Sequence, residues 1–197
     1  MVSLPRIGVL GSLCNPPHIG HLLLCERAAE QLGLDRVVIV PTGLPSHRPE
    51  PRETPAQRLR LAQAAADGNP LLTVSRLEVD RPGPSYMADT LHALGDRYSG
   101  STLVLLMGAD QFRSLPTWHE PETVARLAQI AVADRPGSDL PGDHDGSPVA
   151  RIEMPQLQVS STAIRERAGQ GRSIRYLVTE PVRELIERER LYRERDG

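Results

Sequence analysis

Aromatic side chains are scarce in this 197-residue chain, at 3% of positions, so its one tryptophan, Trp118, calls for an explanation. Cysteine is nearly absent too. Cys14 and Cys25 do not form a CxxC pair, and reduced thiols in a cytoplasmic protein are the expectation. No apolar run approaches bilayer-spanning length, and the first residues lack the apolar core of an export signal, so no membrane partner is expected. The formal net charge of −2 excludes nucleic-acid binding driven by bulk electrostatics. No internal repeat is visible. What is present is a globular composition, 39% hydrophobic, on a chain long enough to bury a real core. One domain over residues 1–197 is expected, with oligomeric state left open.

Apolar runs alternate with amphipathic segments. Arg6–Leu10 reads as a first strand and His18–Leu34 as a helix. Arg36–Pro41 is a continuous β-branched run suited to a strand covered on both faces. Thr54–Asp67 reads as a helix with Thr54 as its cap and Pro55 at its first position. Leu71–Leu77 reads as a strand, Met87–Tyr98 as a helix and Thr102–Met107 as the most buried strand, with a short helix after it. Helix Glu120–Ala128, strand Ile130–Ala133, an irregular loop Asp134–Pro148 and strand Ile152–Met154 follow. Helices from Ser160/Ser161 to Ala168 and over Pro181–Arg190 end the pattern, the second with a solvated Arg/Glu face. The alternation predicts an α/β fold, a doubly wound and mostly parallel sheet with helices on both faces. Ligands in such folds bind beyond the carboxyl ends of the strands.

The most informative stretch is Gly11-Ser12-Leu13-Cys14-Asn15-Pro16-Pro17-His18-Ile19-Gly20-His21, which leaves the first strand and opens the first helix. His18 and His21 are three apart, so on a helix they share a face beside the N-terminus, where free N–H groups favour phosphate. Two imidazoles there can donate hydrogen bonds to oxygens that gain charge during transfer. The same spacing suits two zinc ligands, but no nearby cysteine or acidic residue supplies a third, and no metal site is assigned. A merely structural pair of histidines is the remaining alternative.

Other clusters fall after strands, where this fold places a site. Gly43–Arg48 is a Pro-bearing loop with His47 and Arg48, the latter a candidate anion donor. Ser160-Ser161-Thr162-Ala163-Ile164-Arg165 caps a helix start that can hold the outer phosphates of a triphosphate, although the segment taken alone reads first as a simple cap with a solvated arginine. Gly108 lets backbone approach a ligand, and Asp110 is placed to accept from ribose hydroxyls or to cap the next helix. Trp118 offers a flat face to an aromatic ring, with core packing as its alternative, and Ser85-Tyr86-Met87 opens a helix whose amides suit an anionic group.

In this order, His18-Ile19-Gly20-His21, Pro41-Thr42-Gly43 with His47-Arg48, Gly83-Pro84-Ser85-Tyr86 with Thr90-Leu91, Gly108-Ala109-Asp110, Thr117-Trp118, Arg135-Pro136-Gly137, Ser160–Arg165 and Leu191-Tyr192 resemble the bacterial nicotinate-nucleotide adenylyltransferases of the HxGH nucleotidyltransferase superfamily. Phosphopantetheine adenylyltransferases resemble the chain less, because they lack the Ser-Tyr and Thr-Trp elements. The resemblance implies a Rossmann-like nucleotidyltransferase fold, with residues 160–197 a helical portion completing the ATP site. It implies transfer of the adenylyl group of ATP to nicotinate mononucleotide, giving nicotinate adenine dinucleotide and pyrophosphate, with Mg²⁺ accompanying ATP.

Under that resemblance His18, His21 and Arg165 are catalytic. Gly11, Ser12, Gly20, Gly108, Asp110, Ser161 and Thr162 bind ATP. His47, Arg48, Ser85, Tyr86, Met87, Trp118 and Arg135 bind the acceptor. The chain departs from the family in its first loop, where Gly-Gly-Thr-Phe-Asp-Pro is usual. Leu13 removes a hydroxyl and Asn15 a carboxylate, while Met87 replaces a threonine and Arg48 a frequent lysine. Two other functions stay open at this level: a diverged nucleotidyltransferase with another phosphorylated acceptor, and a nucleotide-binding protein without turnover.

Overall fold

The computed structural model describes residues 4–46, 49–134, 143–144, 147–155 and 157–193. In chain order its elements are β1 (Arg6–Ser12), α1 (Ile19–Leu32), β2 (Arg36–Pro41), β3 (Leu44–Pro45), α2 (Pro55–Ala66), β4 (Leu72–Val74), α3 (Leu77–Asp80), β5 (Pro84–Ser85), α4 (Met87–Arg97) and β6 (Thr102–Gly108). Then come α5 (Ala109–Ser114), a 3-10 turn (Leu115–Thr117), α6 (Pro121–Leu127), β7 (Gln129–Asp134), β8 (Asp143–His144), β9 (Ser147–Glu153), α7 (Ser161–Gly169) and α8 (Glu180–Arg188).

The main sheet runs β4-β2-β1-β6-β7-β9-β8, and every pairing is parallel except β8 with β9. From β1 the chain winds outward through β2 and β4, then returns to β6 on the other side. The order therefore reverses between β1 and β6. Their carboxyl ends part there to leave a crevice.

Side chains alternate across the sheet as a two-residue period demands. Leu103, Leu105 and Met107 of β6 pack with Leu91 and Leu94 of α4. Val104 and Leu106 face the other way, into a cluster with Leu24, Cys25 and Ala28 of α1. Both faces are covered, which is why β2 and β6 read as unbroken apolar runs. A third cluster joins Leu61 and Ala65 of α2 to Ile164 of α7 and to Val182, Leu185 and Ile186 of α8. Through α2 the C-terminal helices are fastened to the sheet. The start of α2 is fixed by a reciprocal cap: Gln57 N–H donates to the Thr54 hydroxyl at 3.2 Å, and Thr54 N–H donates to the Gln57 side chain at 3.0 Å.

Three expected elements come out differently. The strand expected over Leu71–Leu77 stops at Val74. The Ser75 hydroxyl there takes the Leu77 N–H at 3.3 Å, and the Arg76–Asp80 ion pair at 2.9 Å braces a helical turn instead. The last strand is longer than expected, because β9 pairs with β7 from Val149 onward. Part of the Asp134–Pro148 loop lies outside the described residues, but its end turns β8 back against β9. A small parallel pair, β3 with β5, was not anticipated.

Candidate active site

A cleft of about 930 Å³ opens over the ends of β1 and β6. Its walls include Gly11, Ser12, His18, Gly20, His21, Gly108, Ser161, Thr162 and Arg165, residues expected on the nucleotide side from three separate stretches of chain. The two histidines and the distant guanidinium meet in this cleft.

His18 is the N-cap of α1 rather than its first turn, and His21 is the third residue of the helix. The rings stack at 3.9 Å between centroids. His18 N–H donates to His21 Nδ1 at 3.2 Å, which leaves the His21 proton on Nε2, 3.3 Å from the Ser12 hydroxyl oxygen. Cys14 N–H also donates to that oxygen at 3.2 Å. Both lone pairs of Ser12 are thereby engaged, and its own proton can point to an anion in the cleft.

His18 Nδ1 is buried with no hydrogen-bond partner. A bare lone pair there costs less than a buried unpaired N–H, so the proton belongs on Nε2. Burial lowers the His18 pKa to about 4, and burial together with the neighbouring His18 lowers that of His21 to about 3. Near neutral pH both rings are uncharged donors. His18 can bind an oxyanion through Nε2, whereas the His21 Nε2 proton is engaged by Ser12.

Gly20 owes its place to His18: a Cβ on it would lie 3.0 Å from His18 Nδ1 and 3.2 Å from Val159 Cγ1. A Cβ on Gly108 would meet nothing within 4 Å, so that backbone stands open to a ligand. The start of α1 is less open than expected, since Ile19 N–H is taken by the Leu177 carbonyl at 3.0 Å. The start of α7 faces the cleft. Ser160 caps it by accepting from Ala163 N–H at 3.2 Å, and Ser161 Oγ donates to the Pro16 carbonyl at 2.9 Å. Arg165, one turn in, donates to the Asn15 carbonyl at 2.8 Å and to Thr162 Oγ1 at 3.2 Å. It is the cleft's cation from this helix, in a chain that contains no lysine.

Asp110 does not cap α5. Gly108 is the N-cap there and donates its N–H to the Gln111 side chain at 3.2 Å. The Asp110 carboxylate stands fully in solvent beside Arg113 at 2.8 Å, outside the cleft lining.

Of the residues expected to bind the acceptor, the described ones, Ser85, Tyr86, Met87 and Trp118, lie along β5, α4 and the turn before α6. β3 and β5 join the segment after β2 to Pro84–Ser85, and Gly43 N–H donates to Ser85 Oγ at 3.0 Å. Only glycine fits at 43, because a Cβ would fall 2.1 Å from the Glu78 carbonyl oxygen. The Tyr86 ring stacks on His119 at 4.2 Å. Trp118 lies against the core with its face partly exposed, and its indole N–H donates to Ser114 Oγ at 3.3 Å. Met87 reaches back until its Cε would lie 2.4 Å from a Cβ on Gly11, which joins the two halves. His47, Arg48 and Arg135 lie outside the described residues.

Several residues in and around the site carry no site role in the motif reading. Arg58 is fully buried and donates to four backbone carbonyls, those of Glu53, Leu13, Thr42 and Gly43, thereby tying the loops after β1 and β2 together. Glu78 is buried under Thr90, whose hydroxyl donates to it at 2.7 Å, and burial raises its pKa above the usual carboxylate range. Asn15, Glu53 and Tyr192 also line the cleft. Their signal in the sequence is weak, since a polar residue in a helix or loop does not announce that it is buried. Among the described residues no group of three His, Cys, Asp or Glu side chains could hold a metal ion. No helix among them is long and apolar enough to cross a membrane.

Comparison with known proteins agrees with this geometry. The sequence model of the cytidylyltransferase-like family matches residues 10–167. A probable nicotinate-nucleotide adenylyltransferase of Exiguobacterium sibiricum is 45% identical over 189 residues, covering 95% of this chain and 98% of that protein. One from Thermus thermophilus is 40% identical over 188 residues, covering 95% of this chain and all of its own. The structure of Plasmodium falciparum nicotinic acid mononucleotide adenylyltransferase complexed with NaAD shares the fold, with a TM-score of 0.77 at 13% identity over 95% of this chain and 97% of that one. Identity of this order over nearly the full length, on top of a cleft lined by the histidines, the α7 start and Arg165, means that the chain belongs to the nicotinate-nucleotide adenylyltransferases, within the cytidylyltransferase-like family.

Proposed function

We propose that this protein transfers the adenylyl group of ATP to nicotinate mononucleotide, forming nicotinate adenine dinucleotide and pyrophosphate in NAD biosynthesis. The observation that carries the reading is the meeting of His18, Ser12 and Arg165 in one cleft at the point where the strand order reverses.

The acceptor's phosphate is already a competent nucleophile at neutral pH, so the chemistry requires no general base. One phosphate oxygen attacks the α-phosphorus of ATP, the bond to the β-phosphate bridging oxygen breaks, and pyrophosphate leaves with that electron pair. The protein's task is alignment and charge stabilisation. Neutral His18 and Ser12 donate to oxygens around the α-phosphorus, with His21 holding Ser12 in place. Arg165 and the first N–H groups of α7 receive the departing pyrophosphate. In this way the C-terminal portion, residues 160–197, completes the triphosphate pocket. Magnesium enters with ATP as the Mg-ATP substrate.

Gly108, Ala133 and Met154 offer backbone and apolar surface for the adenosine. The acceptor's pyridine ring suits the Trp118 face, and the amides at the start of α4 suit its carboxylate. Incubation with Mg-ATP and a panel of phosphorylated acceptors, read as pyrophosphate release, tests the assignment. Turnover with nicotinate mononucleotide is expected. Turnover with a different acceptor alone, or tight ATP binding with no turnover, would reject it.

A further inference from the structure

Asn15 sits at the junction of three segments that are far apart in sequence. Its side chain is only 3% exposed, and Glu53 beside it is 6% exposed. Asn15 Nδ2 donates to Glu53 Oε2 at 2.8 Å, and the Tyr192 hydroxyl donates to Asn15 Oδ1 at 2.9 Å. The direction of the amide is fixed by chemistry: a carboxylate can only accept, so the NH₂ must face Glu53 and the oxygen must face the phenol. The carbonyl of the same residue accepts from Arg165 Nη1 at 2.8 Å.

We propose that Glu53, Asn15 and Tyr192 form a positioning chain that sets the Arg165 guanidinium against the triphosphate, with residues 15 and 53 acting as a matched amide–carboxylate pair. The proposal rests on the reading of the cleft as a triphosphate site. None of the three need touch the reacting atoms. They fix the Asn15 peptide, and that peptide fixes one face of Arg165 while its remaining N–H groups turn to the cleft.

The surroundings support a rigid role. Arg58 donates to the backbone carbonyl of Glu53 at 3.2 Å and to that of Leu13 at 3.2 Å, so one buried guanidinium clamps the chain on both sides of the pair. Tyr192 has a left-handed backbone, φ 68°, as has Arg190 at 51°. A Cβ on Gly169 would lie 2.9 Å from the Tyr192 carbonyl oxygen. Strained backbone and a close approach together bring the phenol to Asn15. Burial and the nearby Glu53 charge raise the Tyr192 pKa, so its hydroxyl keeps the proton it donates. An aspartate at position 15 would put a second carboxylate at hydrogen-bond distance from Glu53, and one of the two would have to stay protonated.

The test compares Asn15→Asp, Glu53→Gln and the double variant with the unaltered protein. ATP is varied at saturating acceptor, at pH 6 and pH 8, and melting temperature is measured alongside. Asn15→Asp should raise the ATP KM at least tenfold at pH 8 and less at pH 6, with a smaller change in kcat. Relative to the unaltered protein, its melting temperature should likewise fall as pH rises. The like-charged neighbour raises a folded-state carboxyl pKa, so stability is present at low pH and lost above it. The double variant restores one donor and one acceptor and should bring KM back to within about threefold of the unaltered protein. Tyr192→Phe, which removes a single hydroxyl, should raise the ATP KM three- to tenfold with kcat within twofold.

An unchanged KM for Asn15→Asp or Tyr192→Phe, or a double variant no better than Asn15→Asp, would overturn the proposal. Failure of the unaltered protein to turn over any acceptor would instead reject the reaction assigned above. The pH pattern of the melting temperatures would still decide the pairing.

Discussion

At the triphosphate end of the cleft, Asn15, Glu53, Arg58, Arg165 and Tyr192 exchange hydrogen bonds between segments up to 177 residues apart. Across β1, Tyr86, His119 and Trp118 meet through one ring stack and one indole hydrogen bond to Ser114. The first end is buried, polar and over-determined, and the second is half-exposed and held by flat surfaces. Directional bonds fix the donors that hold the triphosphate and meet the charge that develops during reaction, so the first end should govern the use of ATP, in KM through Arg165 and in kcat through His18. Ring surfaces bind the substrate and the transition state about equally, so the second end should govern affinity for the acceptor.

The contrast breaks most sharply at His18. His18→Ala should lower kcat by about two to three orders of magnitude, with modest change in affinity for a non-hydrolysable ATP analogue. Wild-type-like turnover would remove that donor from the reaction. Gly20→Ala is the subtler probe, because it leaves both histidines in place but pushes the His18 ring aside. A loss of about ten- to a hundredfold in kcat is expected from misplacement alone. At the opposite end, Trp118→Ala should raise the acceptor KM about tenfold, since an aromatic pair contributes about 1 kcal/mol beyond the area it buries. A change confined to melting temperature would make Trp118 a core residue only.

Acid sharpens the comparison in another way. The folded-state pKa values of His18 and His21, about 4 and 3, lie below the ordinary 6.5. Below pH 6.5 the unfolded chain takes up protons that the folded chain refuses. Stability should therefore be full above 6.5 and fall steadily as pH drops toward 4. Urea unfolding at pH 7.5, 6 and 5 would record the slope, and a His18→Gln/His21→Gln variant should flatten it. The smallest effect belongs to neither end. Thr54→Ala removes the cap of α2 and should cost about 1 kcal/mol in unfolding free energy with kcat unaltered.

Local patterns made much of the molecule readable. The β-branched run Arg36–Pro41 matches β2, and Thr54-Pro55 marks the start of α2 because capping is a matter of adjacent residues. The short β3–β5 pair and the length of β9 were not readable, because a two-residue strand exists only where its partner lies. His18 and His21 stand out through their spacing, whereas nothing along the chain sets Arg58 apart from other helix arginines. Its burial depends on carbonyls contributed by two other stretches of chain, Leu13 and Thr42-Gly43. Asp110 shows a narrower difference: Gly108 takes the cap of α5 instead, and the Asp110 carboxylate faces solvent.

By itself, then, the sequence determined the alternating α/β pattern, the histidine pair, the helix start at Ser161 and the family likeness, all of which are carried by neighbours along the chain. Only the tertiary structure decided that Arg165 reaches Asn15, that Tyr192 closes on the first loop, and that the His21 ring holds Ser12. Those relations join groups that the chain brings together only by folding, and a hydrogen bond is set by distance and direction in space.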